Sequence, residues 1–194
     1  MHTECTVCHT RLETATIPAL ARIDISGADA TLSTSIYEYD GGYMKPGVVV
    51  KLNDTLLVAG KDYTVSYINN KNVGTATVIV NGIGQYTGSV SKTFTINPAK
   101  QNIQKLETRY GGFFVDWAQK GSATGYEIQY ATNYGFTNAE TKKLTANRPD
   151  TATIGGLYRG RNYFVRVRSY TIVRGSTYYG EWSPIKNVVT ASKN

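Results

Sequence analysis

Leu157-Tyr158-Arg159-Gly160-Arg161-Asn162-Tyr163-Phe164-Val165-Arg166-Val167-Arg168 decides how the second half of this chain is read. Side chains alternate across a β-strand, so residues two apart share a face. After the glycine-centred turn, Tyr163, Val165 and Val167 fall on one side and Arg166 and Arg168 on the other. The first face must be buried. Phe113-Phe114-Val115-Asp116-Trp117 supplies a matching surface, because Phe113, Val115 and Trp117 also share one face. Two such faces pack about 10 Å apart in a β-sandwich, with Trp117 as the expected core anchor.

Working outward, the same rhythm covers the rest of the chain. Seven strands are expected in the second half: Ile103 to Thr108, Phe113 to Trp117, Gly125 to Tyr130, Lys142 to Leu144, Thr151 to Ile154, Tyr163 to Tyr170 and Pro184 to Thr190. Six are expected before it: Ala21 to Ile25, Ile36 to Tyr39, Val48 to Leu52, Tyr63 to Ile68, Ala76 to Val80 and Val90 to Ile96. Turn signals at Asp40-Gly41-Gly42, Asn69-Asn70 and Asn81-Gly82 separate them. In Tyr63-Thr64-Val65-Ser66-Tyr67 the tyrosines and the valine share the dry face, which makes them core and rim. The chain of 194 residues has room for two cores of ordinary domain size. The expected fold class is all-β, two tandem β-sandwich domains: 1–20 an irregular lead-in, 21–97 the first sandwich, 98–101 a linker containing Pro98, and 102–194 the second. So short a linker implies restricted motion between them.

Two resemblances follow from these residues. The Leu157 to Arg168 stretch, in which Leu157 precedes Tyr163 by six residues, resembles the fibronectin type III pattern. Trp117, Gly125-Tyr126-Glu127-Ile128-Gln129-Tyr130 and Gly180-Glu181-Trp182-Ser183-Pro184 fall where that family has its hallmarks. The likeness spans roughly residues 100–192. It implies that Tyr163 is a corner tyrosine bonded to nearby backbone, with Trp117 and Leu157 in the core. The family's integrin-binding Arg-Gly-Asp is missing, since the chain offers only Arg159-Gly160-Arg161 and Arg174-Gly175-Ser176. Residues 21–97, with Lys61-Asp62-Tyr63-Thr64-Val65-Ser66-Tyr67, Asn72-Val73-Gly74-Thr75-Ala76 and Gly84-Gln85-Tyr86-Thr87-Gly88, look like the immunoglobulin-like repeats of Gram-positive surface proteins. That likeness implies a spacer or adhesin module in a Firmicutes-type wall protein. Residues 2–20 look like the end of a short Cys-containing repeat from such proteins.

Charge separates the halves. Residues 1–98 carry seven Lys or Arg against eight Asp or Glu, and residues 99–194 carry fourteen against six, so the excess of +7 lies in the second half. Arg166 and Arg168, with Arg159 and Arg161 before them and Arg174 after, would form one positive stripe, and Tyr170, Tyr178 and Tyr179 would stack on sugar rings. Arginines two apart on a strand are about 7 Å apart, a spacing that suits anionic groups along a polymer. The competing expectation is that the arginine stems cover the sheet and pair with Glu127 or neighbouring carboxylates.

Other chemistry is sparse. Cys5 and Cys8, flanked by His2 and His9, make half of a zinc site, and no cofactor is expected beyond that. A closed tetrahedral site wants four protein ligands. The cysteines are too close in sequence to link distant strands. Both histidines lie in the lead-in, and no glycine-rich turn opens a helix. Asp116 and Glu127 are the one carboxylate pair worth testing, but alternation turns each toward solvent and no cleft surrounds them. The expectation is therefore no enzyme. No run of apolar residues is long enough for membrane insertion, and no nucleic-acid module accompanies the basic half.

Three functions remain. The first is a structural or spacer segment of a secreted or cell-wall protein at a bacterial surface. Such a segment would be a monomer whose partners are the parent's other domains. The second is an adhesin module binding acidic glycans or host glycoproteins. The third is a pair of accessory domains of a larger wall- or glycan-active enzyme. The β-rich composition looks extracellular, and a piece of a longer protein is expected.

Overall fold

A computed structural model describes residues 20–119, 121–148 and 150–193. The expected zinc ligands His2, Cys5, Cys8 and His9 lie outside them. Nine strands make the first unit: β1 (Ile23–Asp24), β2 (Asp29–Leu32), β3 (Ile36–Glu38), β4 (Val48–Leu52), β5 (Thr55–Leu56), β6 (Tyr63–Ile68), β7 (Gly74–Gly82), β8 (Tyr86–Thr87) and β9 (Ser89–Asn97). One sheet has the order β2-β4-β5 and the other β3-β9-β7-β6, while β1 and β8 form a small parallel pair. Ala30 and Val50 from the first sheet meet Tyr63 and Val80 from the second in one core cluster, and Ala76, Val78, Phe94 and Ile96 form another, against which Leu32 and Val48 of the first sheet pack. The two sheets make a β-sandwich.

The expectation of six strands missed β2, β5 and β8, each four residues or fewer and too short to display a period. The run from Ala21 to Ile25 shrinks to two residues. Asp24 Oδ1 accepts hydrogen bonds from the backbone N–H and the hydroxyl of Ser26 at 2.9 and 2.7 Å, and this side-chain turn ends the strand.

Eight strands follow: β10 (Ile103–Arg109), β11 (Gly112–Trp117), β12 (Gly125–Ala131), β13 (Glu140–Leu144), β14 (Thr151–Ile154), β15 (Asn162–Val173), β16 (Ser176–Tyr179) and β17 (Lys186–Val189). Sheet β10-β11-β14 packs on sheet β13-β12-β15-β16, with β17 also on β15. Trp117 is 0 % exposed, among Phe113, Val115, Tyr126, Ile128, Val165 and Val167, and Leu157 packs half-buried against this cluster.

Here seven strands were expected and β16 is the addition. Arg174 and Gly175, at φ 50° and 84°, form the two-residue loop between paired Val173 and Ser176. Positive φ at both positions marks the hairpin turn that matches strand twist. The segment expected as Pro184 to Thr190 is strand only from Lys186 to Val189. Five steps along β15, from Tyr170 to Val165, answer to seven on its edge partner, from Tyr179 to Lys186. Two extra residues in an edge strand are a bulge, which blunts the edge against unwanted pairing.

Candidate functional site

The outer face of the second sandwich is assembled by register. Across β12 and β15, Glu127 stands opposite Arg168 and Gln129 opposite Arg166; across β12 and β13, Glu127 stands opposite Lys143. Directly opposed side chains are the units that stabilise a sheet face. Arg168 donates from Nε and Nη2 to Glu127 Oε2 at 2.9 and 2.7 Å, and Lys143 Nζ lies 3.6 Å from Glu127 Oε1. Arg166 donates from both Nε and Nη2 to Gln129 Oε1.

Aromatic rings fill the spaces between these cations. Phe136 and Trp182 stand 4.1 and 4.7 Å from the Arg166 guanidinium carbon, and Trp182 and Tyr179 stand 4.4 and 4.0 Å from that of Arg168. Lys143 Nζ lies 4.3 Å from the Tyr170 ring centre. The result is a continuous ladder: Phe136, Arg166, Trp182, Arg168, Tyr179. Each such contact contributes about 0.5–2 kcal/mol. Burial, and then the charge of Arg168, lower the Arg166 pKa, though a guanidinium stays cationic.

Two local devices hold the ladder. The edge bulge carries Trp182 between the arginines, and Ser183 repairs the interrupted backbone pairing: its N–H donates to Val167 O and its Oγ accepts from Val167 N–H, at 2.8 and 3.0 Å. At the other end Phe136 has φ 54°, a strained left-handed conformation for a bulky residue. Asn133 clamps that loop through both its amide atoms to the backbone of Thr137.

Several sequence expectations change accordingly. Glu127 points outward but is only 7 % exposed, because Arg168 and Lys143 cover it. Asp116 alternates with buried Val115 and Trp117 on the other sheet, so the two carboxylates occupy opposite faces of the sandwich and cannot act together. Tyr170 is 1 % exposed and has no free face for a sugar. It lies across Gly125, its opposite residue, and donates to Leu144 O at 3.0 Å; a Cβ on Gly125 would sit 2.9 Å from the ring. Tyr179 is half-buried against Arg168 and Tyr170.

The single positive stripe is also corrected. β15 has 12 residues, a span of roughly 35 Å. Arg159 and Arg161 stand beyond one end, with Arg159 over the Tyr110 ring at 4.4 Å. Arg174 stands beyond the other, and Arg166 and Arg168 are enclosed between them. The sequence signal for Phe136, Trp182 and Lys143 was weak, because their partners follow from loop closure and pairing register.

Tyr163 Oη accepts from the N–H of Tyr158 at 3.3 Å, a tyrosine tied to backbone five residues upstream, beside the Trp117 core. The fibronectin type III family model matches residues 97–185. A fibronectin type III domain is present there. The sixth fibronectin type III domain of human fibronectin type III domain containing protein 3 has 17 % identity and a TM-score of 0.39, covering 52 % of this chain and 92 % of its own. The FN1–FN3 domains of chicken CNTN1 have 13 % identity and a TM-score of 0.42, covering 94 % of this chain and 70 % of their own. A search of curated proteins found no match. Fibronectin type III domains are typically found in extracellular or surface proteins and are generally non-catalytic.

The remaining site is the junction between this domain and the first sandwich. Lys100 N–H donates to Glu38 Oε1 of β3 at 2.8 Å. Ser169 Oγ and Gln101 Nε2 donate to Ala99 O at 2.8 and 3.0 Å, and Lys100 Nζ pairs with Glu181 at 3.2 Å. Gly180 lets the linker pass, since a Cβ there would lie 2.7 Å from Pro98 O. Thr75 Oγ1 and the Tyr178 hydroxyl share a hydrogen bond of 2.9 Å across the two domains. Beside it opens a cleft of about 590 Å³, with Tyr43, Lys71 and Asn72 on one wall and Arg174, Ser176 and Tyr178 on the other.

Proposed function

We propose that this chain is a non-catalytic, stiff two-domain spacer and interaction segment of an extracellular bacterial surface protein, whose other domains are its partners. The observation that carries this reading is the linker between Asn97 and Ile103, bonded to the first sandwich through Glu38 and to the second through Ser169 and Glu181. A short connection fixed on both sides transmits orientation, whereas domains within a chain otherwise move by default. The closed ladder supports the same reading, because it occupies the arginines of the sheet face in holding the fold together. The immunoglobulin-like motifs of the first unit support the assignment to a bacterial surface.

The test is ¹⁵N relaxation on the two-domain protein. One tumbling time for both sandwiches is expected, and Gly180→Val, which drives a side chain into Pro98 O, should separate it into two. Two independent tumbling times in the unaltered protein would refute the stiff junction. Turnover of a wall polysaccharide by the purified segment would refute the non-catalytic assignment.

A further inference from the structure

We infer that the cleft between the two domains is a binding site for an acidic saccharide, one carrying carboxylate or sulfate groups. Its cations come from different domains: Lys71 from the turn between β6 and β7, and Arg174 from the hairpin tip between β15 and β16. None of the residues lining the cleft is an aspartate or glutamate. Two like charges converging on one concavity repel each other, and an anion between them removes that cost while gaining charge-assisted hydrogen bonds. The first domain is not generally basic, so Lys71 is not simply one cation of a cationic surface.

The rest of the lining selects among anions. Tyr43 is 66 % exposed, with the Lys71 ammonium 5.2 Å from its ring centre. An exposed ring offers an apolar plate for the C–H face of a sugar while its hydroxyl stays wet. The Asn72 amide, which both donates and accepts, and the hydroxyls of Ser176 and Tyr178 suit a ligand rich in hydroxyl groups. The volume lies within the ~300–1,000 Å³ of ordinary small-molecule sites, enough for a short oligosaccharide.

The cleft persists only while the domains keep their orientation, so this inference rests on the stiff-junction reading. The test is a ¹H–¹⁵N titration of the two-domain protein with a heparin-derived tetrasaccharide, a hyaluronan tetrasaccharide and neutral maltotetraose. At least one acidic sugar should shift amides in residues 69–75 and 173–178 together, and maltotetraose should shift them far less. Arg174→Asn and Lys71→Gln should each weaken binding about tenfold, the loss of one charged hydrogen bond. Asn tolerates positive φ, so Arg174→Asn keeps the turn. Added salt should weaken binding as the charges are screened.

Shifts centred on Arg159 and Arg161 or on the ladder, or full affinity in both variants, would overturn the site. An equal response to a thymidine hexanucleotide or a hexa-aspartate peptide would overturn its saccharide selectivity. Relaxation data from the same sample separate the two claims. Independent tumbling sinks the junction and the cleft with it; joint tumbling without binding sinks the cleft alone.

Discussion

The sheet face of the fibronectin type III domain and the cleft at its junction are built from the same residue types and arranged to opposite ends. On the sheet face, Arg166 and Arg168 each have a ring on both sides and a cross-strand acceptor. In the cleft, Lys71 and Arg174 both line the cavity among hydroxyls and amides. What separates the two is backbone register. Strand pairing sets a partner opposite each ladder cation, while cations on turns have no opposite residue. The ladder cations are taken up by the fold; Lys71 and Arg174 on their turns are the ones assigned to the proposed ligand.

That contrast yields graded predictions. The largest effect is expected from Trp182→Ala, which removes the ring between both arginines: the fibronectin type III domain should lose about 2–3 kcal/mol in chemical denaturation. A loss below about 0.5 kcal/mol would mean that the ladder adds no stability. Glu127→Ala leaves Arg168 and Lys143 without their carboxylate and should cost about 2 kcal/mol. A double-mutant cycle with Arg168→Ala should recover about half of that as coupling, and additivity would break the claim that they act as a pair.

Tyr130, on the core side of β12 opposite to the ladder, adds a test by pH. Burial, then the hydrogen bond it donates to Glu140, push its pKa up from 10.0 to about 12. The folded state therefore favours the neutral phenol. Its contribution is fully present below about pH 10 and is lost as pH rises from there to about 12. Tyr130→Phe should lower stability by about 0.5–1.5 kcal/mol at neutral pH and flatten the alkaline decline in thermal unfolding scans. An unchanged decline would assign it to other groups. The smallest effect belongs to the cleft: Arg174→Asn should change stability by no more than about 0.5 kcal/mol in either direction. A loss of 2 kcal/mol would show that Arg174 has a structural role after all, and the contrast would collapse.

Most of the second sandwich was legible because its strands are long and one-sided: Tyr163, Val165 and Val167 alternate with Arg166 and Arg168, and Phe113, Val115 and Trp117 answer them. The pairing of Arg168 with Glu127 was legible as a competing expectation, since opposite charges on neighbouring strands invite it. Tyr170 was misjudged for a definable reason. Its parity does put it on the outer face with the arginines, but Gly125 opposite leaves a gap into which its ring lies down, and Lys143 and Tyr179 close over it. Strand parity specifies a direction; it does not report what later covers the side chain. In the first sandwich β2, β5 and β8 escaped notice because a strand of two to four residues shows no period.

By itself, the sequence determined an all-β chain with two cores, a buried Trp117 and a short linker, because alternation, turn residues and proline act locally; the backbone-tied Tyr163 was implied only by the fibronectin type III resemblance. The tertiary structure alone decided which cations are enclosed and which are open. That depends on register across three strands, on a two-residue bulge at an edge and on the meeting of hairpins about a hundred residues apart, and none of these leaves a periodic trace along the chain.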